Sequence, residues 1–311
     1  MAIRDILQNN ALMMLFAFIF GFAIGGFPAH NADIAMACLV IVMSLSLGGL
    51  KIRGMRLREH TRSVIVSLVA CFGVSSVVTI SLGSLFGDAQ IRIGWVIVAS
   101  VPSAIAVIPF TYLLKGDLQF SLVASAVIYV LSLAITPLMT LIFLGTPVDQ
   151  LTLLWYVIVL IFIPLAASRA LVKVPMSGQT RTILINIAFA IMFFAITGSN
   201  RNAFFGDPIL ISALLLVAAA RTFLVGGAVE LIARRLRVEK KKRIPIVLFS
   251  TYKNTGMAAA LASVLVGNVA AIPATVCLAM EVIWFVALTK VIYPVKERRF
   301  YRKNRQSLNK M

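Results

Sequence analysis

The sequence predicts an all-α polytopic membrane protein with ten transmembrane helices. Three observations lead there. The 311 residues are 60% hydrophobic and only 13% charged, with a mean hydropathy of +0.99, a composition that soluble domains of this size do not have. Apolar runs of about 20 residues recur along the chain, each long enough to cross a hydrocarbon core of roughly 30 Å. The basic residues collect in alternate loops, which orients the spans.

The first span, 10–28, follows Arg4 and carries Gly21 and Gly25 in a register suited to close helix packing. No small-x-small cleavage site follows it, so it reads as a span and not as a removed signal. The second, 33–50, ends in Leu47-Gly48-Gly49-Leu50 ahead of a basic loop. The third (63–86) is uniformly apolar; the fourth (92–114) is broken by prolines; the fifth (118–145) follows the loop residues Lys115, Gly116 and Asp117. The sixth to eighth cover 150–171, 180–199 and 208–233. The ninth (244–267) contains Lys253, and the tenth (270–294) precedes a basic tail. The loops are too short for a second domain. The chain is therefore one transmembrane unit, 1–311, with halves of about 1–146 and 147–296 and a tail at 297–311.

The formal net charge of +18 points to nucleic acid only if position is ignored. With a cytoplasmic N-terminus, all but five of the 29 Lys and Arg fall on the cytoplasmic side. Arg92 and Arg201 lie opposite, and Arg221, Lys253 and Lys290 lie in spans. Both termini are then cytoplasmic in a multi-pass cell-membrane protein, and the basic face is drawn to anionic membrane lipid. Arg234 to Arg243 reads as an orienting loop. Cys38, Cys71 and Cys277 all fall in spans, without ligand spacing.

Two spans break the apolar pattern. The fourth contains Pro102 and Pro109, and a proline removes a backbone donor and strains the preceding turn. The ninth opens near Pro245 and runs through Lys253-Asn254-Thr255-Gly256. The interruptions are five spans apart. Because five is odd, the halves have opposite orientation, and paired broken helices in inverted repeats point to a midplane substrate site in secondary transporters. Irregular backbone at that depth must be covered by protein or water.

Intramembrane charge marks the same region. Lys253 lies nine residues into its span, roughly 13 Å deep at about 1.5 Å per residue. Arg221 and Glu281 reach similar depth in the eighth and tenth spans. Ionisable residues are costly there and are paired, wet or functional. Two cations against one carboxylate leave one positive charge, suited to an anionic substrate or to a proton released from the lysine. Arg221 with Glu281 also reads as a simple interspan pair, and Glu230 as a partner for Arg234 one turn on.

Thr111-Tyr112-Leu113-Leu114-Lys115-Gly116-Asp117, followed by Ser121 and Ser125, resembles the fourth-to-fifth-span motif of the bile acid:sodium symporter family. Asn254-Thr255-Gly256 and the small residues after it resemble its ninth-span motif, and Leu47-Gly48-Gly49-Leu50 also fits. The resemblance implies two inverted five-helix repeats divided into panel and core bundles, with broken helices 4 and 9 crossing near the substrate. It implies a carrier of organic anions, often with sodium. The chain departs from the family where sodium should bind. Val107 and Ile108 replace a hydroxyl and an amide, Phe249 replaces an acid, Lys253 replaces a glutamine, and Cys71 stands for another glutamine. Ser121 and Ser125 keep hydroxyls, but a hard cation wants several oxygens and negative charge. The expectation is that Lys253 stands where sodium would stand, with a proton replacing the ion or no coupling ion at all.

The candidate substrate and coupling residues are thus Lys253, Asn254, Thr255, Gly256, Ser121, Ser125, Thr111, Arg221 and Glu281, with helix breaks at Pro102, Pro109 and Pro245. The partners are a small organic anion, a proton and membrane lipid, with no nucleic acid, cofactor or metal. No zincin or nucleophile-elbow motif is present, and an enzyme is not expected. A rearranged sodium site, a non-transporting receptor or scaffold, and efflux of arsenite-type oxyanions are the alternatives. The last lacks its thiol in the fourth span.

Overall fold

The computed structural model describes residues 3–8, 10–47, 57–144 and 149–294. Gly48, Gly49 and Leu50 of the second-span motif, the loop positions Lys51, Arg53 and Arg56, and the tail 297–311 lie outside the described residues. Regular structure among the described residues is helical: α1 Asn10–Ile24, α2 Asn31–Leu47, α3 His60–Gly83, α4 Ala89–Ser100, α5 Val107–Leu113, α6 Leu118–Leu144, α7 Gln150–Leu171, α8 Gly178–Ser199, α9 Pro208–Arg235, α10 Lys240–Thr251, α11 Thr255–Leu265 and α12 Asn268–Ile292. A short helix, Ile3–Gln8, precedes the set, and another, Arg201–Gly206, joins α8 to α9. Among the described residues, six helices, α3, α6, α8, α9, α12 and Leu154–Leu171 within α7, are long and apolar enough to cross a membrane.

The few acidic residues largely start helices. Asp88, Asp149 and Asp207 accept from backbone N–H groups of the first turns of α4, α7 and α9, satisfying donors that have no intrahelical partner. Asp207 does this ahead of Pro208, whose missing N–H costs nothing at a first helical position. Ser177 and Asn254 cap α8 and α11 in the same way.

Two apolar cores form. One draws on α2, α4, α8, α11 and α12, including Leu39, Trp95, Met192 and Met257. The other surrounds α5 and α10, including Val107, Phe120, Phe249 and Tyr252. Each interrupted helix passes from one core to the other: Val101 belongs to the first and Val107 to the second, Tyr252 to the second and Met257 to the first. The helices α4 and α12 touch at Gly94, where a Cβ would lie 2.2 Å from the Ala270 carbonyl oxygen. Turns of π-helix widen α3 at Val69–Ser75 and α9 at Ala220–Leu224, in the two helices that precede the interrupted ones.

The chain leaves helix at Pro102 and at Tyr252–Asn254. It does not do so at Pro109 or Pro245. Pro109 is the third residue of α5, inside the first turn, where no N–H partner is needed. Pro245 lies within α10. Its missing N–H frees the Lys241 carbonyl four residues earlier, which accepts instead from Asp117 N at 2.8 Å. The helix continues because the orphaned acceptor finds a donor in the loop before α6.

Candidate functional site: the crossing of two interrupted helices

Pro102 sets the first break. A residue before proline is pushed out of the helical region, and Val101 adopts φ −71°, ψ 155°. In the second break Tyr252 is extended (φ −98°, ψ 107°) and Asn254 becomes the cap of α11. The two breaks complete each other. Ser103 and Lys253 form an antiparallel bridge, Ala104 N donating to Tyr252 O at 3.1 Å and Asn254 N to Pro102 O at 2.8 Å. Unpaired backbone in an apolar interior costs more than the pairing gains, so this mutual satisfaction holds the crossing together.

Stopping α4 and α10 inside the protein leaves two negative helix ends there, each with carbonyls lacking intrahelical donors. A buried cation meets each end. Lys253 Nζ donates to Ala99 O at 2.8 Å and to Val101 O and Ser76 Oγ at 3.1 Å, and lies 4.6 Å from the Phe72 ring centroid. Ser76 Oγ itself donates to Ala99 O at 2.6 Å, and Thr136 Oγ1 covers Ser100 O at 2.8 Å. At the other end Arg221, presented from the π turn of α9, donates NH2 to Thr251 O at 2.7 Å and NH1 to Glu281 Oε1 at 3.0 Å. The same Glu281 oxygen accepts from Lys253 N at 3.3 Å. Lys253 and Arg221 are fully buried, and Glu281 is 3% exposed. The formal charge of this cluster is one positive.

A cavity of about 80 Å³ abuts the crossing, room for several waters by the roughly 10–15 Å³ that each needs. Its polar wall holds Tyr252 to Gly256 and Glu281, and its apolar wall includes Leu39, Met43, Phe189 and Phe193 from α2 and α8. Asn254 is fixed on both sides, accepting from Met257 N and donating Nδ2 to Tyr129 Oη, each at 3.1 Å.

Of the residues singled out by sequence, Lys253, Asn254, Thr255, Gly256 and Glu281 come together at this cavity, and Arg221 joins through Glu281. Thr111, Ser121 and Ser125 are buried but do not line it. Thr111 and Ser121 hydroxyls bond each other at 2.9 Å, and Ser125 Oγ has no protein partner among the described residues. Glu230 sits apart, bonded to Arg234, Arg243 and the Tyr293 hydroxyl. Sequence reasoning missed Ser76 and Tyr129. The polar pair Ser75-Ser76 in the middle of an apolar span was the available signal for the first; nothing distinguished Tyr129.

The residues do not fit sodium at the positions where the resemblance expects it. Cys71, Val107 and Phe249 are packed into one apolar cluster, with Phe249 against the Phe120 ring. The ammonium of Lys253 already occupies the free carbonyls of α4. Among the described residues, Cys71, Val107 and Phe249 offer no side-chain oxygen to a hard cation.

Taken together, discontinuous helices crossing in the interior of an apolar helical protein, with a cavity of one polar and one apolar wall at their junction, fit a membrane protein of transporter type. The model of the sodium bile acid symporter family matches residues 33–204, more than half of the chain, and the chain belongs to that family. The match includes the first interrupted helix and stops before the second. No curated protein matches the chain.

Proposed function

We propose that this protein is a secondary carrier of a small organic anion that works by alternating access and is not coupled to sodium at the usual family sites. The observation that carries this reading is the Lys253 ammonium on the carbonyls of Ala99 and Val101. A tethered cation there stabilises the crossing, a task that a mobile ion would otherwise perform. Transport is then driven by a proton gradient or by the anion's own gradient.

The cavity supports an anion with an apolar body. The N-terminal turn of α11, with Asn254, Thr255 and Gly256 on the cavity wall, offers the positive end of a helix to a negative group. The opposite wall of Leu, Met and Phe side chains suits hydrocarbon. The two shorter apolar helices α1 and α2, the six long ones and the two interrupted pairs together amount to ten crossings, arranged in this reading as inverted five-helix repeats with a panel and a core.

The test is uptake of labelled pyruvate and of longer 2-keto acids into proteoliposomes under imposed sodium or proton gradients. Uptake indifferent to sodium is the expected result. Strong sodium dependence with no pH dependence overturns the proposal.

A further inference from the structure

We infer that Glu281, and not Lys253, is the proton-binding group of this carrier, and that a proton on its cavity-facing oxygen travels with one anion. The inference rests on the carrier reading above and goes beyond it in naming the site.

Hydrogen-bond inventory separates the two candidates. An ammonium has three donors and no acceptor, whereas a neutral amine has two donors and a lone pair. The three oxygen partners of Lys253 Nζ accept its hydrogens, and the Cys71 thiol lies beside them. Two of the oxygens are carbonyls, and Ser76 Oγ has committed its own hydrogen to Ala99 O. A neutral amine has one hydrogen too few for these three oxygens. The three-acceptor cage therefore holds the charged form, and the amine is fully buried behind the crossing with the Phe72 face over it. The Lys253 ammonium serves as the tether.

Glu281 has the opposite arrangement. Its Oε1 accepts from both Arg221 NH1 and Lys253 N. Its Oε2 has no protein partner among the described residues, yet it is not among the enclosed unpartnered atoms, and the residue lines the cavity. The other charged or titratable groups that face it are Arg221 from α9, Tyr252, whose hydroxyl donates to the Glu281 carbonyl, and Cys277 one turn earlier on α12, beside Arg221. The Lys253 ammonium points away from it, to the end of α4. A hydronium in the cavity gives its proton to Oε2 and leaves water. Oε1 continues to accept as a carbonyl oxygen, and the counter-charge that Arg221 and Lys253 lose is supplied by the anion that enters with the proton.

Charge arithmetic then couples the proton to the anion. The cluster of Arg221, Lys253 and Glu281 goes from one positive charge to two on protonation, and a monoanion in the cavity returns the total to one. Each ligand favours the other by the same factor. The loaded and empty carriers bear equal charge, so transport is electroneutral.

The test uses the full chain in liposomes and needs no substrate. Infrared difference spectra between mildly acid and mildly alkaline buffer are expected to show a protonated-carboxyl band that Glu281→Gln lacks. Because that variant leaves two buried cations unmatched and can fail to fold, a second measurement uses the unmodified protein. A hydrophobic carbodiimide, which reacts with protonated carboxyl groups, is expected to label Glu281 severalfold more in acid than in alkaline buffer, as read by peptide mass spectrometry. A pH-dependent band that persists in Glu281→Gln, or adducts confined to Glu230 or other acids, overturns the inference. Pyruvate counterflow on the same vesicles separates the two proposals. Sodium-dependent flux with a labelled Glu281 sinks the carrier's ion independence and leaves the proton site, whereas sodium-independent flux with an unlabelled Glu281 sinks the proton site alone.

Discussion

Replacing Lys253 with methionine tests the central role given to this side chain, and the structure sets the size of the effect. Methionine fills a similar volume without donors. Ala99 O keeps its bond from Ser76 Oγ, so the acceptor stripped bare is Val101 O. One buried unsatisfied carbonyl costs about 1–3 kcal/mol, partly offset because no ammonium must be held out of water. Arg221 and Glu281 remain paired, so no charge is orphaned. Glu281→Leu is the contrasting case. It leaves Arg221 and Lys253 buried with no counter-charge, and breaking a buried pair this way costs about 3–5 kcal/mol. Thermal unfolding in detergent is expected to rank the proteins wild type, then K253M lower by a few degrees, then E281L lowest or not folded. Uptake by K253M is expected to fall more than its stability, because α4 loses the tether to the second interrupted helix. Wild-type stability together with wild-type uptake in K253M would refute the claim that the ammonium holds the crossing.

Three further outcomes follow from particular contacts. Lys253→Gln places the family's usual amide at this position, but uptake is expected to remain indifferent to sodium, since Cys71, Val107 and Phe249 stay apolar; flux measured against a sodium gradient checks it. Gly94→Ala drives a methyl group onto the Ala270 carbonyl at 2.2 Å and is expected to cost about 1–3 kcal/mol, whereas Gly87→Ala, with nothing within 4 Å, is expected to be neutral; paired melting curves decide it. The Thr152 hydroxyl and the Leu151 amide hold the exposed Asp149 carboxyl below the usual aspartate range. A lowered folded value means that the cap contributes fully above the ordinary aspartate range and is lost as pH falls through the lowered one. The protection of the first-turn amides of α7, as hydrogen exchange relative to the intrinsic rate at each pH, is expected to fall at acid pH, and to lose that pH dependence in Asp149→Asn.

Much of the fold was legible because the membrane imposes one-dimensional rules. Apolar length marks a span, and proline at 102 marks a break. The proline rule also misled. Pro109 and Pro245 lie inside helices, because one sits where no donor is required and the other has its freed carbonyl answered by Asp117 N. The break between α10 and α11 carries no proline. It was legible only through the polar run from Lys253 to Gly256, which cannot all be buried in one regular helix.

For this protein, hydropathy and charge alone determined that the chain is helical, that it is built to cross a membrane, and that Arg221, Lys253 and Glu281 must find partners at depth, since each of these follows from composition and spacing along one chain. Which partners they find was decided in three dimensions. Lys253 lies 152 and 154 residues from the carbonyls that hold it, and backbone carbonyls look alike in every sequence. Only the crossing, by ending α4 and α10 in the interior, selects which of them are left without donors and therefore where each charge must go.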